Sequence, residues 1–185
     1  MLPMDWKYQL LIIIILYSVN MSTSVFEFTN IKCTSLDKKF DNFEYCHLKS
    51  VNRTFKYVSI KVNMYVLPVT NVKVNFSLLK KFSGYKPFLY NITADACRVL
   101  KYPKFNPVVG FFYSIFSHHS NMNHTCPYNH DIIVDKLPAD FVNTKITKTL
   151  PFPVGDYLFD SKWIINNVNR AEVKVYGTLT NSNEL

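Results

Sequence analysis

Glycine is scarce in this 185-residue chain: Gly84, Gly110, Gly155 and Gly177 are all it has. Phosphate-cradling loops and dinucleotide fingerprints need clustered glycines for close backbone approach, so nucleotide chemistry is excluded. Neither a Gly-x-Ser-x-Gly elbow nor a His-Glu-x-x-His zinc helix occurs. Acidic residues are also in deficit, 13 against 21 Lys and Arg, for a formal net charge of +8. The bases are dispersed as single lysines without an arginine cluster or a continuous basic run, which argues against a nucleic-acid partner. Two readings of the charge remain: a solvated cationic surface, or a salt-sensitive attraction to anionic head groups or extracellular polyanions. Beyond residue 24 no stretch is long and apolar enough to span a bilayer, and there is no repeat, low-complexity tract or interdomain linker.

Catalytic and metal-binding patterns are equally thin. His118, His119, His124 and His130 lie close in sequence, but their spacing matches no zinc pattern and no acid is set among them. They read as loop histidines beside a disulfide, and no metal is expected. Cys46-His47 would offer a thiol nucleophile only if the cysteine were free, and a disulfide removes that thiolate. Asp95 has no second acid nearby for acid/base work and reads as a cap or turn residue. The chain is therefore expected to be no enzyme, with no catalytic residue and no cofactor.

What is present begins with the amino terminus. Lys7 precedes the uncharged run Leu10-Leu11-Ile12-Ile13-Ile14-Ile15-Leu16, and small or polar residues follow at Ser18, Asn20, Ser22, Thr23 and Ser24. Residues 1–24 read as a cleaved signal peptide, with the cut between Asn20 and Val25. The alternative is an uncleaved anchor, but the run has about a dozen apolar residues where a span needs ~20. Residues 25–185 are then expected to form one secreted domain, monomeric and long enough to bury a core.

An oxidising compartment gives the cysteines their meaning. Cys33, Cys46, Cys97 and Cys126 are even in number and imply two disulfides. Four cysteines allow three pairings; Cys33 with Cys46 and Cys97 with Cys126 is preferred because each closes a local loop, and the other two stay open at this stage. Each bridge is worth ~3 to 4 kcal/mol in the chain-entropy model. Asn-x-Ser/Thr sequons at Asn52, Asn75, Asn91 and Asn123 point to glycosylation, and a fifth at Asn20 sits on the cleavage junction.

Hydrophobic periodicity is that of strands. Val58, Ile60, Val62, Met64 and Val66 alternate with Tyr57, Ser59, Lys61, Asn63 and Tyr65, and Leu67-Pro68 ends the run. The next run turns Val72, Val74, Phe76 and Leu78 inward, so Asn75 faces solvent, as a glycan requires. Phe88, Tyr90 and Ile92 share a face from which Asn91 points away. One helix is expected: Asn106 is a cap, Pro107 stands in the first turn, and an apolar stretch runs to Phe116. Strands are expected again at Asp131–Val134 and Asn143–Lys148, a turn at residues 150–155, and a closing hairpin from Tyr157–Ile165 and Ala171–Leu179. Many short antiparallel strands and one short helix predict a mainly β fold, a sandwich or cup.

Several motifs also carry a resemblance. Phe28-Thr29-Asn30-Ile31-Lys32-Cys33, Tyr45-Cys46-His47-Leu48-Lys49, Tyr85 to Asn91, Asp95-Ala96-Cys97, Asn123 to Tyr128, and Leu150-Pro151 through Gly155-Asp156-Tyr157 resemble a large insect family of secreted proteins of unknown function that includes the chemosensory CheB proteins. That family is in turn similar to the ganglioside activator and the ML lipid-recognition domains, β-cups or sandwiches of immunoglobulin-like layering around an apolar cavity. The resemblance implies detection of pheromone-like hydrophobic cues. It agrees with an aromatic surplus of 15 Phe and 12 Tyr. A cup that does not fill its own interior leaves a lipid site. The ligand-binding candidates are Val62, Met64, Phe76, Phe88, Tyr90, Phe112 and Phe116, each of which could equally be ordinary core. Two functions follow: a secreted carrier that holds a lipid or other hydrophobic small molecule for a membrane or receptor, or a glycoprotein interaction module with a filled core that binds a receptor or partner protein.

Overall fold

A computed structural model describes residues 24–52, 55–149 and 152–182. The expected leader up to Thr23, its sequon at Asn20 and most of its cleavage junction lie outside the described residues. Among the described residues eight strands form, β1 (Ser24–Ser35), β2 (Asp41–Ser50), β3 (Lys56–Met64), β4 (Val72–Lys81), β5 (Tyr85–Asp95), β6 (Ile132–Pro138), β7 (Gly155–Ile165) and β8 (Val168–Asn181). They pair into two antiparallel sheets, one of five strands in the order β1-β8-β7-β4-β5 and one of three in the order β2-β3-β6. Apolar side chains of both sheets meet in one core: Phe26, Phe28 and Leu78 from the larger, Val58, Val134 and Leu137 from the smaller. The mainly β, two-sheet architecture is thus the expected one.

Local chemistry explains several boundaries. In β4 the residues at Val72, Val74, Phe76 and Leu78 are buried and those between them are not, the period of a half-buried strand. The β7–β8 hairpin turns on Asn166 and Asn167, both at positive φ (52° and 62°), the two-residue geometry that asparagine tolerates and the strand twist favours. Asp95 ends β5 as the cap of a short helix, α1 (Ala96–Lys101), its carboxylate accepting from the Arg98 N–H at 2.9 Å. Asn106 likewise caps α2 (Pro107–Phe116) by accepting from Val109 N at 3.1 Å, with Pro107 in the first turn as expected.

Three expectations are corrected. Asn143–Lys148 is not a strand but part of a third helix, α3 (Ala139–Thr149), so among the described residues three α-helices stand where one was expected. Val142, Thr144, Ile146 and Thr147 favour strands intrinsically, yet Ala139, Val142 and Ile146 fall at helical spacing and pack into the core, and Asn143 Oδ1 accepts from Phe26 N of β1 at 2.8 Å. Packing of one apolar stripe outweighs propensities of a few tenths of a kcal/mol. In β3, Tyr57 and Ser59 are buried, not solvent-facing, because both faces of the strand are covered there; Ser59 Oγ accepts from Lys136 N at 3.0 Å. The strand also stops at Met64, short of Val66, where Tyr65 N turns to Phe40 O.

Candidate functional site

Inward-facing residues of the two sheets do not fill the space between them. A cavity of about 270 Å³ remains, lined from β3 by Val62 and Met64, from β4 by Phe76, from α2 by Phe112 and Phe116, and from β7 by Trp163. A water needs roughly 10–15 Å³ of such space, so this is room for an organic molecule rather than for one solvent molecule. Phe112 stacks its ring 4.8 Å from Phe159 and 6.1 Å from Phe76, and Phe76 meets Trp163 edge-on at 6.4 Å, giving the five-stranded side an aromatic wall. The facing wall is mostly aliphatic, with Val58, Ile60 and Val134 beside Phe43 on the smaller sheet.

Polar atoms in this lining are turned to the backbone. Tyr113 donates its hydroxyl to Met122 O at 2.7 Å, Tyr128 to His124 O at 2.6 Å, and Tyr157 to Pro153 O. Burial pushes the Tyr128 phenol up to about 12, with Tyr113 adding to it, and raises Tyr113 and Tyr157 as well, so all three stay neutral donors. Trp163 donates to Ser161 Oγ at 3.2 Å, and Ser161 in turn to Val173 O at 3.2 Å. One lining side chain departs from the pattern: Asp41, 1% exposed, has a buried Oδ1 without a hydrogen-bond partner. Burial holds its carboxyl above the usual range; Ser35 and, more weakly, Arg170 pull it down while Asp37 pushes it further up.

Of the sequence candidates, Val62, Met64, Phe76, Phe112 and Phe116 line the cavity. Phe88 and Tyr90 do not. They belong to β5, the edge strand, and pack behind the lining: Phe88 against Phe152 at 6.1 Å and Tyr157 at 5.8 Å, Tyr90 edge-on to Phe112 at 6.1 Å. Missed by sequence reasoning were Phe26 and Phe28 of β1 and Trp163 and Phe159 of β7. Alternation in Val25-Phe26-Glu27-Phe28 is a signal for β1, obscured by its closeness to the expected leader.

Two disulfides hold the walls together. Cys33–Cys46 joins β1 of one sheet to β2 of the other (Cα–Cα 6.2 Å), and Cys97–Cys126 ties α1 to the loop before β6 (5.4 Å). The preferred pairing is the one present, and Cys46 therefore has no thiol to act beside His47. His124 and His130 meet Nε2 to Nε2 at 2.9 Å around Tyr128, outside the cavity lining, while His118 and His119 form a 3-10 turn after α2. Among the described residues no three His, Cys, Asp or Glu side chains gather as metal ligands would. Nor is any described helix long and apolar enough to cross a membrane. Asn52, Asn91 and Asn123 are exposed and Asn75 is half-buried; Arg53 and Thr54 of the first sequon lie outside the described residues.

Comparison with known proteins adds a partial match to a family model and a similar structure. No curated protein matches the chain. A family model described as "Protein of unknown function (DUF1091)" matches residues 74–159, from β4 into β7, a segment that contains the motifs from Tyr85 to Tyr157 quoted above. Among solved structures the chain is similar to a Niemann-Pick type C2 protein from Japanese carpenter ant, at 13% identity and a TM-score of 0.34, over 83% of this chain and 90% of that one.

Proposed function

We propose that this protein is a secreted, non-enzymatic carrier that holds a lipid or other hydrophobic small molecule between its two sheets and presents it to a membrane or receptor, in the chemosensation of apolar, pheromone-like cues. The observation that carries this reading is the cavity. At about 24 cal/mol per Å³, a void of 270 Å³ left empty costs about 6 kcal/mol. That is comparable with the whole net stability of a domain, about 5–15 kcal/mol. An apolar ligand offsets the cost by restoring dispersion contacts to the walls and by removing its own surface from water, at roughly 25 cal/mol per Å² before the costs of association. Two disulfides support passage through an oxidising compartment.

A filled-core interaction module is the competing reading. Phe82 (62% exposed) and Leu89 (65%) at the β4–β5 hairpin favour it as apolar contacts for a partner. Native mass spectrometry of the deglycosylated full chain collected from insect-cell medium, followed by denaturing lipid extraction, separates the two. A mass excess matched by a released lipid is expected. A clean apo mass, unchanged by added apolar molecules, would sink the carrier reading in favour of the module.

A further inference from the structure

Between Asp95 and Asp131 the chain has no acidic residue, and that stretch supplies α1 and α2, both of which contribute to the cavity wall. α1 has two unlike faces. Val99 and Leu100 line the cavity, whereas Arg98 and Lys101 of the same helix are exposed, as are Tyr102 just after it and Lys104 and Phe105 of the 3-10 turn Pro103–Phe105. Tyr102 is 57% and Phe105 58% exposed. Rings and cations interleave in space as they do in sequence. Arg98 lays its guanidinium over the Phe105 ring at 3.8 Å, and the Lys101 ammonium lies 5.5 Å from the centre of the Tyr102 ring. Among the described residues no ion pair engages Arg98, Lys101 or Lys104, and the carboxylate of Asp95 caps the helix by accepting from Arg98 N at 2.9 Å. Three uncompensated positive charges and two rings thus face solvent on an element whose other side walls the cavity.

We propose that this face of α1 and its following turn is the surface by which the protein lands on a bilayer of anionic lipids. Arg98, Lys101 and Lys104 meet the head-group phosphates and carboxylates, and the Tyr102 and Phe105 rings enter the interface. Charge complementarity selects an anionic surface. The rings select a bilayer over a soluble polyanion. A polyanion in water neutralises the cations and leaves both rings wet, whereas the interfacial layer of a bilayer takes up aromatic side chains together with the basic residues beside them. Landing there brings the wall made by Val99 and Leu100 next to the lipid, on the side where a cargo would pass. This inference rests on the carrier reading and adds to it the surface and the class of membrane.

The test floats the full chain secreted from insect cells with phosphatidylcholine vesicles made with and without phosphatidylserine. Binding that needs phosphatidylserine and weakens with salt is expected. At about fivefold in partition per cation near an anionic surface, Arg98→Gln, Lys101→Gln and Lys104→Gln combined lower it on the order of a hundredfold. Tyr102→Ser with Phe105→Ser lowers it by about tenfold through lost apolar burial. Lys38→Gln, Lys39→Gln and Lys49→Gln combined remove the same charge from exposed positions of the β1–β2 turn and β2, and leave most of the binding in place. Equal loss in the two triple variants would make the attraction one of net charge and overturn the landing surface. So would the absence of binding to phosphatidylserine vesicles, or unchanged binding by the serine variant with heparin as an effective competitor, which assigns the cations to a soluble polyanion. Thermal melts check folding, and should a combined variant not fold, Lys104→Gln alone, with an expected loss of about fivefold, still decides. None of the five residues lines the cavity, so uptake of the apolar probe N-phenyl-1-naphthylamine reports on the carrier separately. Probe uptake without vesicle binding removes the landing surface and leaves the carrier; vesicle binding without probe uptake does the reverse.

Discussion

Asn75 of β4 donates its side-chain amide to Asn91 Oδ1 of β5 at 3.0 Å, so two glycosylation sequons lie face to face on the outside of the larger sheet. Their register is reciprocal, with Asn75 opposite Thr93 and Ser77 opposite Asn91. Asn75 Nδ2 also donates to Thr93 Oγ1 at 2.9 Å, which uses both of its hydrogens, whereas Asn91 takes part through Oδ1, accepting from Asn75 and from Ser77 at 3.1 Å. A sugar on Asn75 Nδ2 replaces one of the two donors and removes a cross-strand bond. A sugar on Asn91 costs none of these bonds.

Protein released by insect cells should therefore carry glycan at Asn91 and little at Asn75. Deglycosylation in ¹⁸O water and peptide mapping measures both sites. Occupancy at Asn75 equal to or above that at Asn91 would contradict the hydrogen-bond argument.

Gly177 in β8 is a packing requirement. A Cβ there would stand 2.3 Å from Phe26 Cζ and 2.9 Å from the Glu27 carbonyl oxygen, and the second of these is backbone that cannot swing away. Gly177→Ala is expected to lower stability by about 1–3 kcal/mol, the usual cost of overpacking. Urea denaturation at neutral pH reads it, and a change within a few tenths of a kcal/mol would show that β1 yields.

The two disulfides should differ in weight. Loop-closure entropy assigns about 2.9 kcal/mol to a bridge separated by 13 residues and about 3.6 to one separated by 29. Removing Cys97–Cys126 with paired serines should cost more than removing Cys33–Cys46 in the same way, and should weaken binding of an apolar probe as well, because α1 supplies Val99 and Leu100 to the cavity. Thermal melts of both double variants test the order.

Acid stability carries a signature of Asp41. Its folded-state pKa is raised by burial, so the native protein holds that proton more tightly than the unfolded chain does. The stability linked to it is present below the ordinary value of 3.8 and is lost as pH rises through the raised folded value. Asp160, raised by burial and by Glu172, acts in the same direction, and Asp156, lowered by the Thr178 hydroxyl, in the opposite one. Asp41→Asn isolates the first contribution: its stability relative to the unaltered protein should climb as pH rises from the ordinary value of 3.8 through the raised folded one. Parallel pH profiles of the two proteins would show that Asp41 titrates alike in both states.

How much of this could be read beforehand depended on the range of the interaction responsible. The alternation of Val72 to Leu78, the caps at Asp95 and Asn106 and the closing hairpin are short-range, set by a side-chain period of two or by a single side-chain oxygen, and they were legible. The α3 segment was not, because its β-branched residues point one way and its contact with β1 the other. Among the cavity candidates, those on β3, β4 and α2 line the cavity, while Phe88 and Tyr90 share the inward period of β5 yet sit one layer back. A strand's period gives the face, and position across the sheet decides whether that face meets the cavity; β5 is at the edge.

By itself, then, the amino-acid order determined the strand-rich class and an even set of four cysteines, since each follows from residue type and spacing along the chain. Only the tertiary structure decided that the sheets enclose empty space and that Asp41 is buried at its wall. Both are properties of how distant strands are spaced: Asp41 sits beside Met64 and near Arg170, and nothing in its immediate neighbours distinguishes it from an exposed turn residue.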